Sequence, residues 1–157
     1  MKFRAAIQLS VIVVSLFSAV RSASANFNFF TPVAASGFSA DCCSPNIMKT
    51  PYEIYNNSTT TTENVLASLG HAAGGTNGFT FYGQNNAGFL QCTVWVVSSY
   101  NGSSYTYSGS TSAFGPFTIV VHTTPPGGDY FYSANCALAP ASFTNGVSSL
   151  FGVAPDH

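Results

Sequence analysis

Residues 88–110, GFLQCTVWVVSSYNGSSYTYSGS, decide the fold. Two runs rich in β-branched and aromatic residues flank Asn101-Gly102, the commonest two-residue hairpin turn. Such a turn pairs Tyr100 with Ser103, Ser98 with Tyr105 and Val96 with Tyr107. Side chains alternate along a strand, and paired residues share a face. Leu90, Cys92, Val94, Val96, Tyr105 and Tyr107 therefore form one face, and Gln91, Thr93, Trp95, Val97, Thr106 and Ser108 form the other. The first is apolar and carries a cysteine, so it is the expected core face. A one-residue slip of register would exchange the two.

The rest of the chain reads outward from this hairpin. FTFYG (79–83), FGPFTIVVHTT (114–124) and DYFYSA (129–134) are further strands, separated by turns such as Pro125-Pro126-Gly127-Gly128. Asn145-Gly146 between ASFT and VSSLFGV is a second hairpin signal. Upstream, NFNFFTPV (26–33) reads as a first strand ending near Pro32, and YEIY (52–55) as a short one. Thr60-x-x-Glu63 fits a capping box, with Val65, Leu66 and Leu69 behind it and Gly70 as a stop. This predicts one short helix over 61–69. The expected fold is all-β, an antiparallel sandwich or barrel-like domain with that single helix.

The first 25 residues read as a secretory signal: a basic start, MKFR, an apolar run, and a small-x-small cleavage pattern at Ala23-Ser24-Ala25. Residues 26–157 then form one secreted domain. Cleavage removes Lys2, Arg4 and Arg21, leaving Lys49 against five acids, a net charge of −4. One lysine cannot replace the counterions of a nucleic acid or hold an anionic membrane surface, and neither nucleic acid nor membrane is an expected partner. Solubility then rests on neutral polar side chains and on sugar. Acceptor sequons begin at Asn56, Asn57 and Asn101.

Four cysteines in a secreted chain imply two disulfides. A bond between the adjacent Cys42 and Cys43 needs a strained eight-membered ring. The expectation is therefore that Cys42 and Cys43 bond separately to Cys92 and Cys136, clamping the amino-terminal region onto the sheet.

Catalytic chemistry finds little to work with. Histidines are His71, His122 and His157, with no metal-ligand spacing. A copper site built on an amino-terminal histidine is unavailable, since the mature chain starts at Asn26. The G-x-S-x-G elbow of serine hydrolases is absent. Asp41, Glu53, Glu63, Asp129 and Asp156 lie mostly in loops or at ends, which does not suggest the paired carboxylates of a glycosidase. His122 and Asp129, flanking one turn, are the nearest approach to a catalytic set. No cofactor, metal or enzyme activity is expected.

Trp95 is the residue with most to say about function. Tryptophan is mostly buried on average, so cover by another element is the first expectation. Exposed, it would offer a flat apolar face and one N–H donor to a sugar ring or a partner side chain. Together with Gln91, Thr93 and Thr106 it forms the candidate binding face. The sequence reads as a small, secreted, monomeric, non-catalytic binding protein, acting on an extracellular protein or a glycan.

Overall fold

The computed structural model describes residues 29–30, 32–40, 44–86 and 88–156. Its strands are β1 (Phe29–Phe30), β2 (Val33–Ala34), β3 (Ser39–Ala40), β4 (Ile47–Lys49), β5 (Ile54–Asn56), β6 (Glu63–Ala73), β7 (Asn77–Asn85), β8 (Leu90–Ser98), β9 (Ser104–Thr111), β10 (Gly115–Thr123), β11 (Asp129–Leu138) and β12 (Ser149–Asp156). A single 3-10 turn, Ala35–Gly37, is the helical element among the described residues. Two antiparallel sheets form the sandwich. One has the order β1-β6-β11-β8-β9, with β3 also beside β6; the other has β10-β7-β12-β5-β4, with β2 beside β12. The chain changes sheet at most connections from β5 onward, so its loops collect at the two ends of the sandwich.

Alternation fills the space between the sheets. Leu90, Cys92, Val94 and Val96 of β8 are fully buried, and face inward with Phe79 and Phe81 of β7 and Ile119 and Val121 of β10. Each such side chain contributes about 1.5–3 kcal/mol relative to an exposed one. Tyr132 is the largest fully buried side chain, and its hydroxyl accepts from Asn77 Nδ2 at 3.0 Å. Burial pushes that phenol above its ordinary range.

The β8–β9 hairpin carries a correction in its turn. Val96 pairs with Tyr105 and Val94 with Tyr107, while Ser98 N donates to Ser103 O and Gly102 N to Ser98 O. The loop is longer than the two-residue turn expected, and the pairing shifts by two positions. Because the shift is even, every side chain keeps its face.

The helix expected over 61–69 does not form. Residues 63–69 open β6, which is sandwiched between β11 on one side and β1 and β3 on the other. Val65, Ala67 and Leu69 are buried in strict alternation, a period of two that the helical reading of Val65, Leu66 and Leu69 passed over. Ladder partners on both sides outweigh the local capping signal. A bulge between Tyr132 and Ser133 of β11, where Gly70 and then Ser68 are paired, leaves Leu69 as the extra residue. Beyond it the parity of β6 reverses, so Ala72 points inward and His71 outward. Glu63 caps nothing: its carboxylate accepts from Asn46 Nδ2 at 2.8 Å and from Thr61 Oγ1 at 3.0 Å. Hydrogen bonds from Asn46, Ser44 and Thr61 lower its pKa, Asn46 most.

The expected cysteine pairing is also overturned. Cys92 and Cys136 bond each other, with S–S 2.07 Å and Cα–Cα 4.1 Å. They are register partners on β8 and β11, and both face the core. Cys42, Cys43, Asp41 and residues 1–25, where a signal is expected, lie outside the described residues.

One edge of the sandwich is closed by a glycine. A Cβ on Gly109 of β9 would stand 2.6 Å from Ile119 Cγ2 and 3.1 Å from Val120 O, both on β10. Gly109→Val is expected to cost about 1–3 kcal/mol by overpacking, read as a lowered thermal midpoint.

Candidate functional site

The outward side chains of the first sheet form rows fixed by strand register. One row holds Ser68, Ser133, Trp95 and Thr106, from β6, β11, β8 and β9 in turn. The next row toward one end holds His71, Phe131, Val97 and Ser104. On the other side come Leu66, Asn135, Thr93 and Ser108, then Asn64, Ala137, Gln91 and Ser110. Trp95, Gln91, Thr93 and Thr106 are therefore brought together on one surface.

Trp95 is 50% exposed and Phe131 57%, which overturns the expectation that the indole is covered. The two rings sit on neighbouring strands, offset by two residues, because Trp95 pairs with Ser133. His71 packs against Phe131 with ring centroids 5.1 Å apart at 53°. Thr93 Oγ1 and Ser108 Oγ are 2.8 Å apart, a hydrogen bond that fixes two hydroxyls beside the tryptophan. The surface thus offers flat apolar rings edged by hydroxyls and amides. Among the described residues Asp129 is its one carboxylate, at the start of β11. Lys49, the sole Lys or Arg among the described residues, is on β4 and donates to Phe38 O at 2.7 Å.

Phe131, His71, Ser133 and Asn135 were not singled out from the sequence. For the three on β11 the signal was the cysteine: once Cys136 is placed inward opposite Cys92, the odd residues of β11 must point out; His71 on β6 follows only from its pairing with Phe131.

The other residues weighed for chemistry do not converge. His122 is exposed on the outer side of β10 and Asp129 on the outer side of β11, so they lie on opposite faces of the sandwich. Among the described residues no three His, Cys, Asp or Glu are grouped to hold a metal ion. Of the sequon asparagines, Asn57 and Asn101 are exposed. Asn56 is fully buried, and its amide nitrogen donates to the carbonyls of Thr61, Leu138 and Ala139. A sugar on that nitrogen is incompatible with the folded state.

No protein-family model matches the sequence, and no curated protein matches it. Among solved structures, three show a likeness in outline. The CBM36-1 domain of a multidomain xylanase from the hindgut metagenome of Trinervitermes trinervoides is 12% identical, with a TM-score of 0.49 over 81% of this chain and 96% of that one. TmCBM61, solved in complex with β-1,4-galactotriose, is 11% identical, with a TM-score of 0.42 over 84% of this chain and 90% of that one. CBM35 from Paenibacillus barcinonensis is 15% identical, with a TM-score of 0.42 over 81% and 98%. At these values the likeness is one of outline, and the functional reading rests on the surface itself.

Proposed function

We propose that the chain is a secreted, non-catalytic binding domain that holds a neutral glycan on the outer face of its first sheet. One observation supports this above others: Trp95 stands half exposed among hydroxyl and amide side chains, on a face with no lysine or arginine among the described residues. An indole face offers dispersion contact to the C–H face of a sugar. Gln91, Thr93, Thr106 and Ser108 surround it with donors and acceptors for sugar hydroxyls. Phe131 extends the platform onto the adjacent strand. A neutral ligand suits a surface with neither arginine nor lysine among the described residues. Sugars on Asn57 and Asn101 and a monomeric state belong to the same reading.

The test is retention of the folded protein on insoluble polysaccharides and on a glycan array. Trp95→Ala is expected to weaken binding by about 30-fold, the ~2 kcal/mol of a central aromatic anchor. As a half-exposed residue it should change folding stability by less than about 1 kcal/mol. Unchanged retention by Trp95→Ala would overturn the reading. An extracellular protein partner is the second reading, favoured by the contiguous edge of Phe131, Val97 and Trp95. Stoichiometric capture of one purified extracellular protein, with no glycan retained, would carry it.

A further inference from the structure

Glycine follows Asn77, Asn101 and Asn145 directly in the chain. Such a pair carries its own chemistry. The glycine nitrogen can attack the amide carbon Cγ of the asparagine before it, and glycine has no Cβ to obstruct the approach. The fold decides which pair is free to react.

Asn77 is not free. It opens β7 and is buried, and its Nδ2, the group that would have to leave, donates to the Tyr132 hydroxyl at 3.0 Å. Gly78 is paired on both sides, with His122 and with Asp156, so its peptide is held extended in the ladder. Asn145 is exposed, but its glycine is clamped. Gly146 N donates to Ser142 O at 2.9 Å, while Ser142 N donates back to Gly146 O at 2.8 Å. The next two residues are fixed as well. Asn86 Nδ2 donates to Val147 O at 2.9 Å, and the buried Ser148 Oγ donates to Asn85 Oδ1 at 3.2 Å.

Asn101 differs on each count. It is exposed in the loop between β8 and β9, outside the ladder. Gly102 N donates to Ser98 O at 3.2 Å, a longer bond than either of the two at Gly146. Breaking it leaves the hairpin closed through Ser98 N and Ser103 O at 2.8 Å. A Cβ placed on Gly102 would meet nothing within 4 Å, so the peptide has room to turn. Asn101 Oδ1 accepts from Ser103 N at 3.0 Å. That bond folds the side chain back over the Gly102 peptide, as in an Asx turn, and draws electron density away from Cγ.

We infer that Asn101 is a self-modifying site, at which Gly102 N displaces the side-chain amide and water completes the exchange. Gly102 N gives up its proton to solvent and bonds to Cγ. The bond from Cγ to Nδ2 breaks, and that nitrogen takes up a proton and leaves as ammonia. Water then opens the cyclic imide at either carbonyl, giving aspartate or its β-linked isomer. The net change is water in and ammonia out. Either product places a negative charge at the hairpin tip near neutral pH. The isomer also lengthens the main chain by a methylene, which a loop outside the ladder accommodates. Asn101-Gly102-Ser103 is at the same time an acceptor sequon. A sugar on Nδ2 blocks departure of the amide, so sugar and imide compete for one side chain. The step holds whether or not the outer face of the first sheet takes a glycan.

The experiment is peptide mapping by mass of the folded chain, made in a host that attaches no sugar and held at mildly alkaline pH. The same chain unfolded in urea is mapped beside it. Unfolded, the three pairs should convert at similar rates. Folded, Asn101 should lead Asn145 by about tenfold, the effect of one further hydrogen bond that must open, and Asn77 by more. Gly102→Ala, whose Cβ obstructs the attack, should slow conversion at Asn101 and leave Asn145 at its own rate. Asn77 or Asn145 converting first in the folded chain would overturn the inference. So would an intact Asn101 in the folded chain after the unfolded chain has converted, or a rate at Asn101 undiminished in Gly102→Ala.

Discussion

Replacing Cys92 and Cys136 together by alanine is expected to lower the stability of the folded chain by about 4 kcal/mol. The bond spans a sequence separation of 44. Opening a loop of that length restores to the unfolded chain about 13 cal/mol/K of entropy in the chain-entropy model. The native state offers little compensation. The two residues are register partners on inner strands of the first sheet, one pair from the end of the β8–β11 ladder, and neither is exposed. Alanine there also removes buried sulfur from a packed interior, which adds a cavity cost. Against this stands the β8–β11 ladder, which runs from Tyr130 and Ser98 to Ala137 and Gln91 and keeps its backbone hydrogen bonds without sulfur. The fold should therefore survive with a reduced margin. A typical domain has about 5–15 kcal/mol in all, so the loss is a large fraction. Urea unfolding of the two proteins, compared at equal slope, measures it. A difference below about 1 kcal/mol would mean that the ladder alone constrains the two strands.

The parts of the fold that could be read from the sequence are those where local pattern and long-range partner agree. The GFLQCTVWVVSSY run alternates apolar and polar, and either even shift of its hairpin leaves Trp95 outside and Cys92 inside. The polarity of each face followed from that parity, and with it the grouping of Gln91, Thr93, Trp95 and Thr106. Where the reading failed, a partner remote in sequence decided. Residues 63–69 carry both a helical and a strand period; the neighbouring strands on either side select the second. Asn145-Gly146 makes a closed turn, as its composition suggests, yet the turn lies inside a connection between two sheets and joins no hairpin. Cys92 and Cys136 pair because β8 and β11 are adjacent, an adjacency that sequence spacing does not encode. Phe131 and His71 were missed for the same reason, since their outward direction depends on that adjacency and on the bulge at Leu69.

Asn56→Asp is expected to be among the most damaging single substitutions in the chain, and its effect should depend on pH. Asn56 is fully buried. Its Nδ2 donates to Thr61 O at 2.7 Å, Leu138 O at 2.9 Å and Ala139 O at 3.3 Å, while its Oδ1 accepts from Ser58 N at 2.8 Å. One side chain thereby joins β5, the loop that follows it and the end of β11. Asn56→Ala removes those bonds and leaves buried carbonyls unpaired, at about 1–3 kcal/mol. Asn56→Asp keeps the shape but turns the donor into an acceptor facing three carbonyl oxygens. An ionised carboxylate there is unpaired and desolvated, so about 3–5 kcal/mol is lost at neutral pH. Burial and the facing carbonyls both favour the protonated form, which raises the folded-state pKa of the introduced carboxyl above the unfolded value of about 3.9. Below that value both states hold the proton, and the carboxyl can still donate one hydrogen bond. As the pH rises past it the unfolded chain releases its proton first, and stability falls by up to about 1.4 kcal/mol per pH unit until the folded-state pKa is reached. The deficit of Asn56→Asp relative to the parent should therefore be small near pH 3.5 and grow toward neutrality. That of Asn56→Ala should stay level over the same range. Chemical denaturation of the three proteins across pH 3.5–7 measures both. Parallel profiles for the two variants would mean that the side chain is solvated in the folded state and that its amide does not hold the three carbonyls together.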